Sequence, residues 1–154
     1  MNLQDVQNLA YKLMKQHGLF DNRWRFEFDN SVKRFGCCNY TTKTISLSKK
    51  LCLLNGEPDV KDTILHEIAH ALVGNANGHN YIWKLKCIEI GANPKRCYDS
   101  SEIVTPKLRY VATCGGCGKE YQKVKKVDNT RKRACQCQNH LAWDKKQLLT
   151  FIER

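Results

Sequence analysis

Two histidines and a glutamate fall within five residues, His66-Glu67-Ile68-Ala69-His70, and this is where the chain is best equipped for chemistry. An α-helix turns about 100° per residue, so His66 and His70 lie about 40° apart on one face. Both imidazoles can then reach a single metal ion. Glu67 is turned about 100° from His66, beside the ion, where a carboxylate acts as a base rather than as a ligand. This is the H-E-x-x-H pattern of zinc-dependent peptide hydrolysis. Ile68 and Leu72 point roughly the opposite way, flanked by Leu65, so the helix is expected to have a core face and a chemical face.

A catalytic zinc takes three protein ligands and keeps one position open. His66 and His70 supply two of them. His79 follows His70 across a glycine-rich break, Gly74 to Gly78, that lets the chain bend back towards the ion. Glu89 is the competing third ligand, because one class of peptidases uses a glutamate on a second helix further along the chain. The spacing H-E-x-x-H-x-x-G-x-x-H is not met: Gly74 lies one residue too far along, and residue 76 is Ala. His79 is the favoured ligand.

A second group of ligand types lies near the C-terminus. Cys114 and Cys117 form a C-x-x-C knuckle with glycines inside it, and Cys135 and Cys137 form a C-x-C pair. Two thiolate pairs at this separation fit a structural tetrahedral zinc in a β-ribbon. The C-x-C spacing is tight, and His140 is an alternative to Cys137 as fourth ligand. The competing reading is that these are reduced, buried cysteines. Two zinc ions are therefore expected, one catalytic and one structural.

The surrounding elements must hold these residues. Leu3, Val6, Leu9, Ala10, Leu13 and Met14 recur at helical spacing, and Gly18 is placed to end that helix. Trp24 to Phe28 alternates apolar and polar residues, Val32 to Tyr40 reads as a second strand interrupted by Gly36, and Thr44 to Ser48 alternates as a third. Asp29-Asn30-Ser31 and Thr41-Thr42-Lys43 are turn signals. A small antiparallel sheet of about three strands is expected. Ser48 can cap a short helix through Leu54, and Pro58 and Asp59 suit the first turn of the helix carrying the two histidines. A further helix is expected from about His79, with Ile82, Leu85 and Ile88 at helical spacing and Gly91 as its stop. The predicted class is α+β: a zincin-like domain over residues 1–104, helices packed on a small sheet, followed by a zinc ribbon over 105–154.

Composition and charge bound the partners. The chain has 154 residues, 42% hydrophobic and 27% charged, an ordinary balance for a folded domain. It has no apolar run long enough to span a bilayer, and its first residues lack the apolar core of a secretion signal. Nine cysteines, an odd number, without such a signal argue against a disulfide scaffold. A cytoplasmic protein without a membrane partner is expected. Of its 26 Lys and Arg, 12 fall in residues 105–154, against 4 of its 15 acidic residues. Such a basic tail suggests a polyanion partner, with a merely solvated surface as the alternative. Lys119, Lys123, Lys125, Lys126, Arg131, Lys132 and Arg133 are the candidate phosphate contacts. Tyr110, Tyr121 and Trp143 are candidate stacking surfaces for unpaired bases.

These landmarks together resemble the SprT-like metalloprotease family, which includes Spartan. A β region with Arg34-Phe35-Gly36 is followed by Ile45-Ser46-Leu47-Ser48, the H-E-x-x-H helix, a Gly-His followed by Trp83, and a Cys-rich ribbon ending in Leu141. The resemblance runs from about residue 5 to residue 145. It implies zinc held by His66, His70 and His79, Glu67 as general base, and action on proteins bound or crosslinked to DNA, single-stranded or at junctions. The C-x-C pair departs from the family's second C-x-x-C. The expected function is a zinc endopeptidase acting on DNA-bound proteins. Its rivals are a non-enzymatic zinc-containing DNA-binding or regulatory protein, in which Glu67 would have no task, and a regulatory protease with a single protein target.

Overall fold

The computed structural model describes residues 1–95, 103–106, 110–123, 127–129, 134–135, 137 and 149–153. The chain divides into two units, Met1–Pro106 and Lys107–Arg154, and the architecture is mixed α and β.

The first unit opens with helix α1, Leu3–Gln16, capped by the Asn2 side chain, which accepts a hydrogen bond from the Asp5 amide. Val6, Ala10, Leu13 and Met14 form its buried stripe, and Gly18 follows with a positive φ as the chain turns away. Three strands come next: β1, Arg25–Asp29; β2, Gly36–Asn39; and β3, Thr44–Ser48. β2 and β3 form an antiparallel hairpin, with Gly36 opposite Leu47 and Asn39 opposite Thr44. β1 pairs in parallel with β3, Phe26 opposite Ile45 and Phe28 opposite Leu47, and the strand order is β1-β3-β2.

The sheet is therefore mixed, which corrects the antiparallel expectation. β3 carries Ile45 and Leu47, both fully buried, between buried Thr44 and Ser48. A strand with that little tolerance for solvent takes the centre. β1 exposes Arg25 and β2 exposes Asn39, and each takes an edge. β2 is also shorter than Val32 to Tyr40. Asp29 and Ser31 take the preceding residues into a turn: the Ser31 amide donates to Asp29 Oδ1 at 2.8 Å, and the Arg34 amide donates to Ser31 Oγ at 3.1 Å.

Ser48 caps helix α2, Lys49–Leu54, by accepting from the Leu51 amide. Helix α3, Glu57–Val73, starts after Gly56, with Pro58 in its first turn and Glu57 and Asp59 complementing the helix dipole. Val60, Ile64, Ile68 and Ala69 are fully buried against α1 and the sheet. Each large apolar side chain there contributes about 1.5–3 kcal/mol. Leu72, by contrast, is partly exposed, because the core stripe ends one turn earlier. After a 3₁₀ turn at Asn75–Asn77, helix α4 spans Tyr81–Ile90 and ends at Gly91 in the left-handed conformation. It starts two residues later than expected because Asn80 is its cap. Its buried side chains are Trp83 and Cys87, while Ile82, Leu85 and Ile88 are exposed. The apolar period of α4 therefore does not mark its packed face.

The second unit holds β4, Tyr110–Thr113, between β5, Glu120–Lys123, and β6, Ile152–Glu153, both antiparallel to it. Ala112, Cys114, Cys135, Leu149 and Phe151 form its small core. The Asn129 amide group joins both main-chain groups of Phe151, at 2.9 and 3.0 Å.

Candidate active site

Helix α3 carries His66 and His70, both half-buried and one turn apart, and Glu67, which is buried. The chain returns His79 to them by a turn that the asparagines secure. Gly74 ends α3 at φ 82°, its amide donating to His70 O, and Gly78 turns the chain again at φ 38°; both values favour glycine. The Asn77 side chain donates to Val73 O, and the Asn80 side chain donates to Asn77 Oδ1 and accepts from the Trp83 amide. A ligand outside the helix is thus held by hydrogen bonds to the helix end and to the next cap.

The three imidazoles meet at their Nε2 atoms. His79 Nε2 lies 3.1 Å from that of His70 and 3.2 Å from that of His66. Tetrahedral zinc with Zn–N bonds of about 2.0–2.1 Å sets its nitrogen ligands about 3.3 Å apart. The cluster therefore has the size of a zinc site. Burial and the neighbouring imidazoles push the His66 pKa down to about 3, and burial, then His79, pushes that of His70 down to about 4. Both are neutral near pH 7, the form that binds metal. Glu89 stands apart from this cluster, exposed and paired with Lys86.

Trp83 backs the cluster. It is fully buried, stacked on His70 at 5.2 Å between ring centroids and edge-on to His66 and His79 at 4.7 and 4.6 Å. Its indole Nε1 has no hydrogen-bond partner among the described residues. The buried ring thus covers the imidazoles on that side. Tyr40 adds a hydrogen bond from its hydroxyl to His70 O at 3.3 Å, tying the turn after β2 to the end of α3.

Glu67 is buried against β2. A Cβ at Gly36 would lie 2.6 Å from Glu67 Oε1 and 2.8 Å from its Cγ, so the carboxylate occupies the space of the missing side chain. Burial pushes the Glu67 pKa up to about 8, opposed by the Arg34 guanidinium and by a hydrogen bond from the Cys38 amide. A divalent cation among the histidines would draw it down again. Arg34 is itself held by Asp29 Oδ2 at 3.1 Å, and Ser46 Oγ donates to the same oxygen at 2.9 Å. Gly36, Arg34, Cys38 and Trp83 were not predictable as parts of this site from spacing. Arg34-Phe35-Gly36 and Trp83 stand out only through the family resemblance.

In the second unit, Cys114, Cys117, Cys135 and Cys137 gather their sulfurs within 4.8 Å of one another. Cys114 Sγ lies 3.9 Å from Cys137 Sγ, and Cys117 Sγ lies 3.7 Å from Cys135 Sγ. Zn–S bonds of about 2.3 Å place tetrahedral sulfurs about 3.8 Å apart, so this group also fits zinc. The C-x-C spacing reaches the cluster, and Tyr121 donates to Cys135 Sγ at 2.9 Å. His140 lies outside the described residues. Of the candidate DNA contacts, Lys119 and Lys123 frame Tyr121, with Lys119 Nζ 5.6 Å from its ring centroid. Tyr110 lies on β4, while Lys125, Lys126, Arg131, Lys132, Arg133 and Trp143 lie outside the described residues.

No described helix is long and apolar enough to cross a membrane. No curated protein and no solved structure matches the chain. The model of the SprT-like family matches residues 6–102, from α1 past the end of α4, and the chain belongs to that family.

Proposed function

We propose that this member of the SprT-like family is a zinc-dependent endopeptidase that cleaves proteins bound or crosslinked to DNA. The observation that carries the reading is the meeting of the His66, His70 and His79 Nε2 atoms, with Glu67, the residue next to His66 on α3, buried against Gly36. A site that only had to hold its metal would have no use for a carboxylate adjacent to the ligands and buried at a cost in desolvation. Zinc held by the three imidazoles would supply a Lewis acid for a peptide carbonyl and for water.

The protein's own residues do the rest. Glu67 takes a proton from the attacking water and passes it to the leaving amine. The Cys38 amide and the Arg34 charge favour its ionised form, and Gly36 leaves room for the carboxylate. Trp83 keeps water from the rear of the imidazoles. β2 is an edge strand beside Glu67, and a substrate main chain laid along it would bind with little dependence on side chains. That suits an enzyme facing many different proteins. The four-cysteine unit is the structural zinc ribbon, and its basic residues hold the DNA to which the substrates are attached.

The test is zinc content measured together with cleavage of casein and of a DNA-bound protein, before and after chelation. We expect cleavage that chelation abolishes and added zinc restores. Full metal loading without cleavage of either substrate would favour a non-enzymatic role.

A further inference from the structure

The sheet has a second edge, remote in sequence from the histidine cluster. β1 is covered on one side by β3, and on its other side it has no partner strand among the described residues. The Arg25 amide donates to Lys43 O at 2.8 Å, so the main-chain groups of Arg25, Glu27 and Asp29 face β3. Main-chain direction alternates along a strand, which turns the N–H and C=O of Phe26 and Phe28 outward.

A cleft of about 550 Å³ lies there, lined by Tyr11, Lys12 and Lys15 of α1, by Phe20, and by Trp24, Arg25, Phe26 and Glu27. Successive side chains of a strand point to opposite faces. A cleft that touches four residues in a row therefore follows the strand's edge rather than one face. Its apolar floor is Trp24 and Phe26, both 7% exposed, and Tyr11 and Phe20 stand as walls, 43% and 39% exposed. The Tyr11 ring meets Phe20 and Phe26 edge-on at 5.8 and 6.2 Å. Lys12, Lys15 and Arg25 outnumber the single carboxylate, Glu27. None of these residues belongs to the histidine site.

We propose that this cleft binds an extended acidic peptide segment of a partner protein. The segment adds a strand to the free edge of β1, sets one apolar side chain against Tyr11 and Phe20, and brings carboxylates to Lys12, Lys15 and Arg25. The open edge favours a peptide over a nucleic acid. Half of its outward groups are carbonyl oxygens, which a peptide meets with N–H donors and which phosphates repel. The five residues of β1 set the length of the contact, and the aromatic walls set the preference for an apolar residue within it.

The test uses the full-length, zinc-loaded chain, labelled with ¹⁵N. Three probes are compared: a peptide of about six residues alternating Glu and Phe, matched to the length of the strand; its Lys-for-Glu counterpart; and an oligothymidylate of about 15 nucleotides. The acidic peptide should shift the Phe26 and Phe28 amide signals and slow their exchange with solvent. The Lys12→Glu/Lys15→Glu double variant should bind it about tenfold more weakly, through lost ion pairs and new repulsion, with its amide spectrum otherwise preserved. The proposal is overturned if the acidic peptide leaves both amides unmoved, if the Lys peptide binds as well, or if the oligonucleotide displaces the peptide from these residues. The readout needs no proteolysis, so it stands or falls separately from the endopeptidase reading.

Discussion

Glu67 shows how one residue's surroundings prepare it for chemistry. Its position next to His66 is explicit in H-E-x-x-H, but its environment is not, because the residues that enclose it come from β2, some thirty positions earlier. Burial raises its pKa from the usual carboxylate range to about 8 in the metal-free protein. Between about pH 4.5 and about pH 8 the folded state then holds a proton that the unfolded state has lost. The stability tied to that proton is fully present below pH 4.5 and is lost as pH rises towards 8. Glu67→Gln carries no such titration. The thermal midpoint of metal-free Glu67→Gln should therefore rise relative to metal-free wild type as pH goes from about 5 to about 8. The lowered pKa values of His66 and His70 act the other way, favouring stability at higher pH, but they are common to both proteins and cancel in the difference. A difference in midpoint that stays flat across that range, in paired calorimetric scans, would contradict the buried, proton-holding carboxylate.

At the scale of elements, what could be read from the chain follows how local each signal is. Helix α1, the Ser48 cap, the Pro58 start of α3 and the Gly91 stop of α4 are set by neighbouring residues, and all are where the sequence places them. The β2–β3 hairpin is also local, closing at Lys43 with φ 49°. The parallel pairing of β1 with β3 depends on which strand tolerates an edge, and no turn residue encodes it. Exposed Ile82, Leu85 and Ile88 show a similar limit: periodicity reveals an apolar stripe but not whether anything packs on it. The return of His79 lies between these cases. Gly74 and Gly78 announce a turn, and only the side chains of Asn77 and Asn80 show how it is held. His79→Ala should leave the four-cysteine zinc in place and remove the other, halving the zinc content from two ions per chain. Glu89→Ala should retain both. Elemental analysis of the purified variants decides it, and zinc loss from Glu89→Ala instead would make Glu89 the third ligand.

At the scale of the molecule, the chain joins a group of three imidazoles that could hold a metal to a second such group of four cysteine sulfurs. The first belongs to the unit that the SprT-like family model matches; the second follows it in a segment with 12 Lys and Arg against 4 acidic residues. If about four to six of those cations meet phosphates of single-stranded DNA, the log–log slope of affinity against salt should be about −3 to −4. Titrations at two or more salt concentrations read that slope, and salt-insensitive binding would remove DNA from the account while leaving proteolysis untouched. Proteolysis itself is the central claim, and it rests on Glu67, next to His66 in the chain and buried, lying outside the group of three imidazoles that could hold a metal. The most direct measurement is casein cleavage by zinc-loaded wild type and Glu67→Gln at matched zinc content. The account predicts that the variant keeps its fold and both zinc ions and loses activity by about 10²–10⁴-fold, as for a missing general base. Near-wild-type cleavage by Glu67→Gln with its zinc intact would contradict it.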